Sequence, residues 1–312
     1  MNSKKGNTMS DLILHEYEMS PFSEKMRKVL GFKGLTYHAV EQPNIAPKPA
    51  LTPLTGGYRR IPVLQIGAHI YCDTALMVRE LERRFPEPCL TPPHLLGAAE
   101  IIADWADHRL FSMSAMPTVI ALAELLPPEF FEDRAKMSPG FTAEGAGAML
   151  PHFESQMLLA MSNLDSQLRA TPFLLGENPT LADMSVYHVL NFSSAAPVFG
   201  NGIAARPALN EWLEKMRGME SGDATPMEAS VALEIARATH PDMTPPDDVV
   251  EDPALPADAQ VTIQADDYGQ EVTQGKVVWT RDNELAVLRH DADLGDILVH
   301  YPKQGYRISV DS

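Results

Sequence analysis

The chain has 312 residues, enough for two domains and a small third, and its apolar content of 45% is ordinary for a globular protein. Its formal net charge of −17 disfavours nucleic acid and anionic membrane surfaces as partners. The sequence contains no run of roughly 18 apolar residues, so it predicts no membrane-spanning helix. Two cysteines, Cys72 and Cys89, are too few for a disulfide framework, and no cleavable signal is apparent, so we expect a cytoplasmic protein with reduced thiols.

Residues 11–88 predict alternating strands and helices. The predicted elements are, in chain order, a strand at 12–17, a helix that begins near Glu24, strands at 35–40, 61–66 and 69–72, and a helix from Asp73 to about Phe85. β-Branched and aromatic residues mark the strands, and prolines and glycines interrupt the pattern between 43 and 57. We therefore expect an α/β domain over residues 11–90.

From residue 97 to residue 238 the sequence predicts an all-α domain. Apolar residues about 3.6 positions apart indicate an amphipathic helix over 153–168, and Thr180 with Asp183 forms a capping-box-like start for a central helix. Prolines and acidic residues predict a linker at 239–260. Short β runs separated by turns then predict a small antiparallel β domain at 261–312.

The most informative local feature is the helix start at Ser20-Pro21. Ser is a preferred N-cap residue, and Pro is a preferred first helical residue. Such a start brings free backbone N–H groups, the positive end of the helix dipole and a hydroxyl group to one point, which can hold an anion or a thiolate. For Ser20 by itself, a plain helix cap stays the alternative.

Four local patterns resemble the glutathione S-transferase family over about residues 11–220. They are Ser20-Pro21-Phe22, Arg60-Ile61-Pro62-Val63-Leu64, Asp73-Thr74, and Pro172-Phe173-Leu174-Leu175-Gly176 with Thr180 and Asp183. Each pattern is weak alone, but their order and spacing together are specific. The resemblance implies a thioredoxin-like N-terminal domain, a helical domain after it, and glutathione as co-substrate. Asp73-Thr74 departs from the family's usual Glu-Ser, which shortens the reach of the carboxylate.

The resemblance also implies that Ser20 donates a hydrogen bond to the glutathione thiolate, with Phe22 beside it in the glutathione site. A free thiol has a pKa near 8.5, so little of it is ionised at neutral pH. A hydroxyl donor at a helix N-terminus lowers that pKa. Ser23, on the next turn, and Tyr17, on the strand side, stay open as alternatives to Ser20.

Further site residues follow from the same resemblance. A cis peptide bond between Ile61 and Pro62 would present the main chain to the cysteinyl part of glutathione, although a trans proline at an edge strand is the alternative. Thr74 would hold the γ-glutamyl carboxylate and Asp73 the ammonium group, unless they are only a helix-cap pair. Arg60 would pair with the glycyl carboxylate, unless it is an ordinary surface arginine.

The helical domain is expected to meet the second substrate. Trp105, His108, Phe111 and Met113 would suit a small apolar electrophile, although the same spacing describes a helix core. Cys72 is expected to pack in the interior, because Ser20 stands where thiol-exchanging relatives carry cysteine. The histidines and cysteines show no metal-site spacing, so we expect no metal.

These observations predict a glutathione transferase that activates the thiolate for attack on an apolar electrophile, with a detoxifying role and a homodimeric state implied by the resemblance. One alternative is a non-catalytic glutathione-binding or protein-interaction module whose function lies in the β region. Another is a glutathione-dependent isomerase, lyase or dehalogenase on the same fold. No motif in the β region after residue 260 indicates a chemical function. Three roles stay open for this region: it covers the active-site cleft, it covers the dimer surface, or it binds a partner.

Overall fold

The computed structural model describes residues 12–138 and 143–311 of the protein. The chain divides into two compact units. The sheet unit contains the residues up to Ser23, Gly34–Arg83 and the residues from Gly222 onwards, and the helical unit contains Glu24–Lys33 and Arg84–Ser221. The predicted domain limits at residues 11 and 312 lie outside the described residues.

The sheet unit is built on one ten-stranded sheet. Its strands are β1 (Ile13–Glu16), β2 (Thr36–Glu41), β3 (Val63–Ile66), β4 (His69–Cys72), β5 (Asp223–Pro226), β6 (Gln260–Ala265), β7 (Thr273–Arg281), β8 (Glu284–Asp291), β9 (Gly295–Tyr301) and β10 (Tyr306–Val310). Their order across the sheet is β10-β6-β7-β8-β9-β4-β3-β1-β2-β5. Strand β1 pairs in parallel with β2 and antiparallel with β3, and β3 pairs antiparallel with β4, which confirms the thioredoxin-like arrangement.

The C-terminal extension, residues 260–311, carries strands β6 to β10. These strands pair antiparallel with one another, as the sequence predicts. Strand β9 then pairs in parallel with β4, where Ile70 lies opposite Val299. Without β9, strand β4 would be a sheet edge with unpaired backbone N–H and C=O groups. The predicted β domain at 261–312 is thus not a sheet of its own, because its strands continue the sheet of the first unit.

The described residues form eleven α-helices, most of which belong to the helical unit. They are α1 (Pro21–Phe32), α2 (Thr52–Thr55), α3 (Thr74–Arg84), α4 (Leu96–Asp104), α5 (Phe111–Ala121), α6 (Pro128–Met137), α7 (Ala143–Leu168), α8 (Leu181–Ser193), α9 (Pro197–Ala204), α10 (Pro207–Arg217) and α11 (Ala229–Ala238). A π-helical turn, Trp105–Leu110, joins α4 to α5. The predicted all-helical domain is confirmed, although α11 belongs to the sheet unit, where Ala232 packs against Ile13 and Val40.

The start of helix α8 shows how the local sequence fixes the helical unit. The Thr180 N–H and hydroxyl donate to Asp183 Oδ2 at 2.9 and 3.0 Å, which completes the predicted capping box. The other carboxylate oxygen, Oδ1, accepts from the Leu174 N–H at 2.9 Å and from the Trp212 indole N–H at 3.0 Å. Asp183 therefore ties the chain before α8 to helix α10, and this structural role accounts for the residue.

The predicted linker, residues 239–260, has no regular element before Gln260, where β6 begins, and it lies against the extension. The Val250 N–H donates to the Thr280 carbonyl at 3.0 Å, and the Thr280 hydroxyl donates back to the Val250 carbonyl at 2.6 Å. The Asp258 N–H donates to the Val277 carbonyl at 2.9 Å. Since these bonds reach strand β7 at two places, the segment is fixed on the sheet. No helix among the described residues is long and apolar enough to cross a membrane.

Candidate functional site

Ser20 stands at the junction of β1 and α1, in the position that the sequence predicts for an N-cap. Its backbone N–H donates to the Tyr17 carbonyl at 3.1 Å, which closes the turn after β1. The Ser23 N–H donates to the Ser20 Oγ at 3.2 Å. The Ser20 oxygen is an acceptor in this bond, so its hydroxyl hydrogen can donate to a second group at the positive end of the helix.

The two rivals of Ser20 have different surroundings. Ser23 is fully buried inside α1, and its Oγ has no hydrogen-bond partner within the part of the chain that is described. Tyr17 is half-buried, and the ammonium group of Lys48 lies 5.9 Å from the centre of its ring. Neither side chain caps the helix, whereas the Ser20 oxygen does.

The segment before β3 has the backbone form that the sequence predicts. The Ile61–Pro62 peptide bond is cis, and Pro62 is buried while Ile61 is half-buried. Strand β3 begins at the next residue, Val63, which lies opposite Cys72 of β4. The cis bond and the end of β4, where α3 begins, are therefore next to each other in the sheet.

Asp73 and Thr74 lie at the start of α3. Asp73 has a φ of 75°, a left-handed conformation that aspartate tolerates better than most residues. Its Oδ1 accepts from the Ala75 N–H at 3.0 Å, and its Oδ2 accepts from the Tyr306 hydroxyl at 3.1 Å. Thr74 is buried. Asp73 thus caps the start of α3, and Tyr306 at the start of β10 donates to its carboxylate.

Arg60 is also held by the extension. Its guanidinium forms an ion pair with Asp267 and donates to the Tyr268 carbonyl, both from the connection between β6 and β7. The Tyr268 ring covers the guanidinium, with 4.1 Å from the guanidinium carbon to the ring centre. The Arg60 Nε is buried and has no partner among the described residues. The neighbouring Arg59 forms an ion pair with Glu271 at 3.3 Å.

Three tyrosines form an aromatic cluster beside Cys72. The rings of Tyr58 and Tyr301 lie 5.9 Å apart, and that of Tyr306 lies 6.5 Å from Tyr58 and 5.5 Å from Tyr301. Burial raises the pKa of all three hydroxyls, so they stay protonated donors at neutral pH. Burial also raises the pKa of the Cys72 thiol, which makes it a poor nucleophile and fits the expected packing role.

The sequence did not predict Tyr58, Asp267, Tyr268 or Tyr306 as parts of this site. The last three follow Arg60 and Asp73 by more than 190 positions in the chain, and no local pattern connects them. The one signal in the sequence is the Asp-Asp-Tyr-Gly turn at 266–269. Its carboxylates are groups that pair with an arginine, and the expected glutathione site contains Arg60.

The predicted substrate residues all belong to the helical unit. Trp105 is half-buried and His108 exposed, and both lie on the π-helical turn. Phe111 begins α5, with its ring 6.3 Å from that of Phe192 and 6.5 Å from that of His188. Met113 is buried and packs as a core residue.

The π-helical turn is anchored by a buried charge cluster. Lys25, which is fully buried, pairs with Asp107 Oδ2 at 2.5 Å, and His188 Nε2 lies 2.9 Å from Asp107 Oδ1. Burial by itself raises the pKa of the Asp107 carboxyl, but the Lys25 ammonium and the hydrogen bond with His188 outweigh it and lower this pKa to about 2. The anionic form of Asp107 therefore fixes the turn next to Trp105 and His108.

Within the described ranges, no group of His, Cys, Asp and Glu side chains is arranged to hold a metal ion. The candidate site of the sheet unit thus consists of a capped helix start at Ser20, a cis bond before β3, and two charged groups, Arg60 and Asp73. These are the groups to which the sequence assigns the binding of a thiol and of the polar ends of a small peptide.

Two family models match the chain. The glutathione S-transferase N-terminal domain matches residues 14–89, and the glutathione S-transferase C-terminal domain matches residues 150–215. No curated protein sequence matches. Among solved structures, a GST-like protein from Pseudomonas syringae is 37% identical, with 97% of this chain and 100% of that chain covered and a TM-score of 0.80.

More distant structures share the fold alone. Glutathione S-transferase III in its apo form is 18% identical, with 67% of this chain and 92% of that chain covered and a TM-score of 0.51. A β-etherase from Sphingobium sp. strain SYK-6 is 19% identical, with 67% and 96% covered and a TM-score of 0.52. The match to the Pseudomonas syringae protein over nearly the whole chain, together with the two domain models, shows that this protein belongs to the glutathione S-transferase family.

Proposed function

We propose that the protein is a glutathione-dependent transferase in which the Ser20 hydroxyl stabilises the glutathione thiolate for attack on an apolar electrophile. The observation that carries this proposal is the hydrogen-bond geometry of Ser20. Its oxygen accepts the Ser23 N–H, so the hydroxyl hydrogen can be donated to a sulfur atom at the N-terminus of α1. Family membership supports glutathione as the thiol.

The required stabilisation is modest. Lowering a thiol pKa from near 8.5 to near 7 needs about 2 kcal/mol, since one pKa unit corresponds to about 1.4 kcal/mol. A hydrogen bond to a charged group contributes about 1.5–3 kcal/mol, and a helix N-terminus contributes about 0.3–1 kcal/mol more. Ser20 and the first turn of α1 are therefore sufficient for the proposed chemistry without a metal ion.

The remaining roles are proposed on the same basis. The main chain at Ile61, before the cis bond, would bind the cysteinyl part of glutathione, and Thr74 would bind the γ-glutamyl carboxylate at the N-terminus of α3. Phe22 would lie beside the peptide. Trp105, His108 and Phe111 would receive the electrophile, whereas the burial of Met113 favours a packing role.

Ser20→Ala tests the catalytic role directly. We expect kcat/KM at pH 7 for conjugation of glutathione to a broad panel of apolar electrophiles to fall about fivefold to tenfold, because the pKa of the bound thiol rises by about one unit and less of it is ionised. Ser23→Ala is the matched control, because it removes a hydroxyl from the same helix, and it should change kcat/KM less than twofold. If Ser23→Ala or Tyr17→Phe causes the large loss and Ser20→Ala does not, Ser20 is not the thiolate donor.

Product analysis on the same panel separates the reaction classes. Conjugates are expected, whereas isomerised, eliminated or dehalogenated products would assign the scaffold to a different reaction. Glutathione binding without any turnover would favour a binding module. The proposed homodimer is tested by sedimentation of the purified chain, which should give twice the mass of 34.3 kDa.

A further inference from the structure

The two charged groups expected to hold the ends of glutathione are both bound by the C-terminal extension. Arg60 pairs with Asp267, and Asp73 accepts from Tyr306. Each contact joins residues more than 200 positions apart in the chain. All four side chains belong to that unit, so the arrangement is a property of its own packing.

At Arg60, the extension supplies the same chemistry as the glycyl end of glutathione. The Asp267 carboxylate neutralises the guanidinium, and the Tyr268 carbonyl accepts a second bond from the same nitrogen, Nη2. The Tyr268 ring shields one face of the guanidinium. A second carboxylate that approached Arg60 would meet the negative charge of Asp267 and would have to replace it.

At Asp73, the extension supplies a donor where glutathione would bring its ammonium group. Both carboxylate oxygens already accept hydrogen bonds, one from the Ala75 N–H and one from the Tyr306 hydroxyl. Tyr306 is buried among Tyr58 and Tyr301, which holds its hydroxyl in place. A ligand ammonium would therefore compete with a preorganised neutral donor.

The connection that carries Asp267 is fixed by several contacts. The Asp266 N–H donates to the Gly305 carbonyl at 3.0 Å, and the Gln270 side chain donates to the Asp267 carbonyl at 3.0 Å. Val272, the last residue of the connection, lies close to Gly57. A Cβ on Gly57 would be 2.5 Å from the Val272 carbonyl oxygen, so the backbones at residues 57 and 272 approach closely only because residue 57 is glycine. The connection is therefore docked on the sheet unit.

We propose that the C-terminal extension competes with glutathione for the glutathione site. Asp267 takes the place of the glycyl carboxylate at Arg60, and Tyr306 takes the place of the ammonium group at Asp73. The inference rests on the proposed function, and it assumes the roles that the family resemblance implies for Arg60 and Asp73, which are to bind the glycyl carboxylate and the ammonium group of glutathione. On this account Asp267 and Tyr306 weaken the binding of glutathione, and the role of the extension is to lower the affinity of the site.

Asp267→Asn tests the inference by calorimetric titration with glutathione. The substitution removes the competing charge and keeps the size of the side chain, so we expect the Kd to fall about tenfold. Asp266→Asn is the matched control, because it makes the same charge change one residue earlier, outside the ion pair with Arg60, and should leave the Kd unchanged. With the glycyl ethyl ester of glutathione, which lacks the competing carboxylate, the gain from Asp267→Asn should disappear.

Tyr306→Phe tests the second contact and does not rely on the first. It should tighten glutathione binding about threefold, since a single hydrogen bond to Asp73 is released. Tyr301→Phe removes a hydroxyl from the same aromatic cluster without touching Asp73 and should leave the Kd unchanged. Thermal melting of each variant identifies any that fails to fold, in which case the other substitution decides.

The outcomes separate the inference from the proposed function. If glutathione binds the wild type and both variants equally, or binds the variants more weakly, the inference is overturned and the proposed function stands. If neither the wild type nor either variant binds glutathione, both are overturned. If the gain from Asp267→Asn persists with the ethyl ester, Asp267 does not replace the glycyl carboxylate and the inference fails.

Discussion

The two ends of the candidate glutathione site are built in different ways. At the sulfur end, the side-chain oxygen of Ser20 bonds a backbone group three residues away, within a single helix start. At the polar end, Arg60 and Asp73 bond residues 207 and 233 positions away. The sulfur end is thus a local structure, whereas the two charged groups of the polar end are bonded by the distant C-terminal extension. Changes to the extension should therefore alter the polar end and leave the sulfur end intact.

The largest expected effect concerns the carboxylate that joins the extension to α3. Glu284 accepts from Arg281 at 2.7 Å and from Arg83 at 3.0 Å, and its Oε1 lies 3.0 Å from His300 Nδ1. Burial by itself raises the pKa of Glu284, but His300 and the two arginines outweigh it and lower this pKa from 4.5 to about 2.

Because the folded-state pKa lies below the unfolded value, Glu284 stabilises the fold above about pH 4.5, and this stabilisation is lost as the pH falls towards 2. We expect Glu284→Gln to lower the free energy of unfolding by about 3 kcal/mol at neutral pH, with the difference vanishing near pH 2. Denaturant unfolding at a series of pH values measures this. Glu251→Gln, on an exposed linker residue, is the control and should show no such slope. An equal loss at every pH would contradict the assigned ion pairs.

The next effect concerns the docking of the connection that carries Asp267. Gly57 has a φ of 142° and Gly176 has a φ of 137°, but a Cβ on Gly57 would clash with the Val272 carbonyl, whereas nothing lies within 4 Å of a Cβ on Gly176. Both glycines have a φ that side chains of L-residues rarely adopt, so each alanine variant carries backbone strain. Gly57→Ala should therefore cost about 2 kcal/mol more than Gly176→Ala in the free energy of unfolding, which denaturant titration measures. Equal costs would mean that the connection is not docked at Gly57.

The comparison also explains what the sequence could predict. The helix cap at Ser20 and the capping box at Thr180 depend on residues close together in the chain, and both are confirmed. The antiparallel pairing within 261–312 was predicted for the same reason, since short β runs separated by turns pair with their neighbours. The cis bond at Ile61–Pro62, which the resemblance to the family implies, is confirmed as well.

The attachment of the extension could not be predicted in this way. The parallel pairing of β4 with β9 joins backbone groups, which carry no residue-specific signal. The partners of Arg60 and Asp73 depend on that pairing, because it brings the connection after β6 and strand β10 to the site. A single arginine in a sequence does not show whether its carboxylate partner is a ligand or a residue more than 200 positions later.

The central claim is that Ser20 stabilises a thiolate at the N-terminus of α1, and a pH titration of bound glutathione tests it most directly. The ultraviolet absorbance of the thiolate, followed against pH with saturating glutathione, gives the apparent pKa of the bound thiol. We expect a value well below the 8.5 of a free thiol in the wild type and in Ser23→Ala, and a value about one unit higher in Ser20→Ala. The same apparent pKa in the wild type and in Ser20→Ala would contradict the claim.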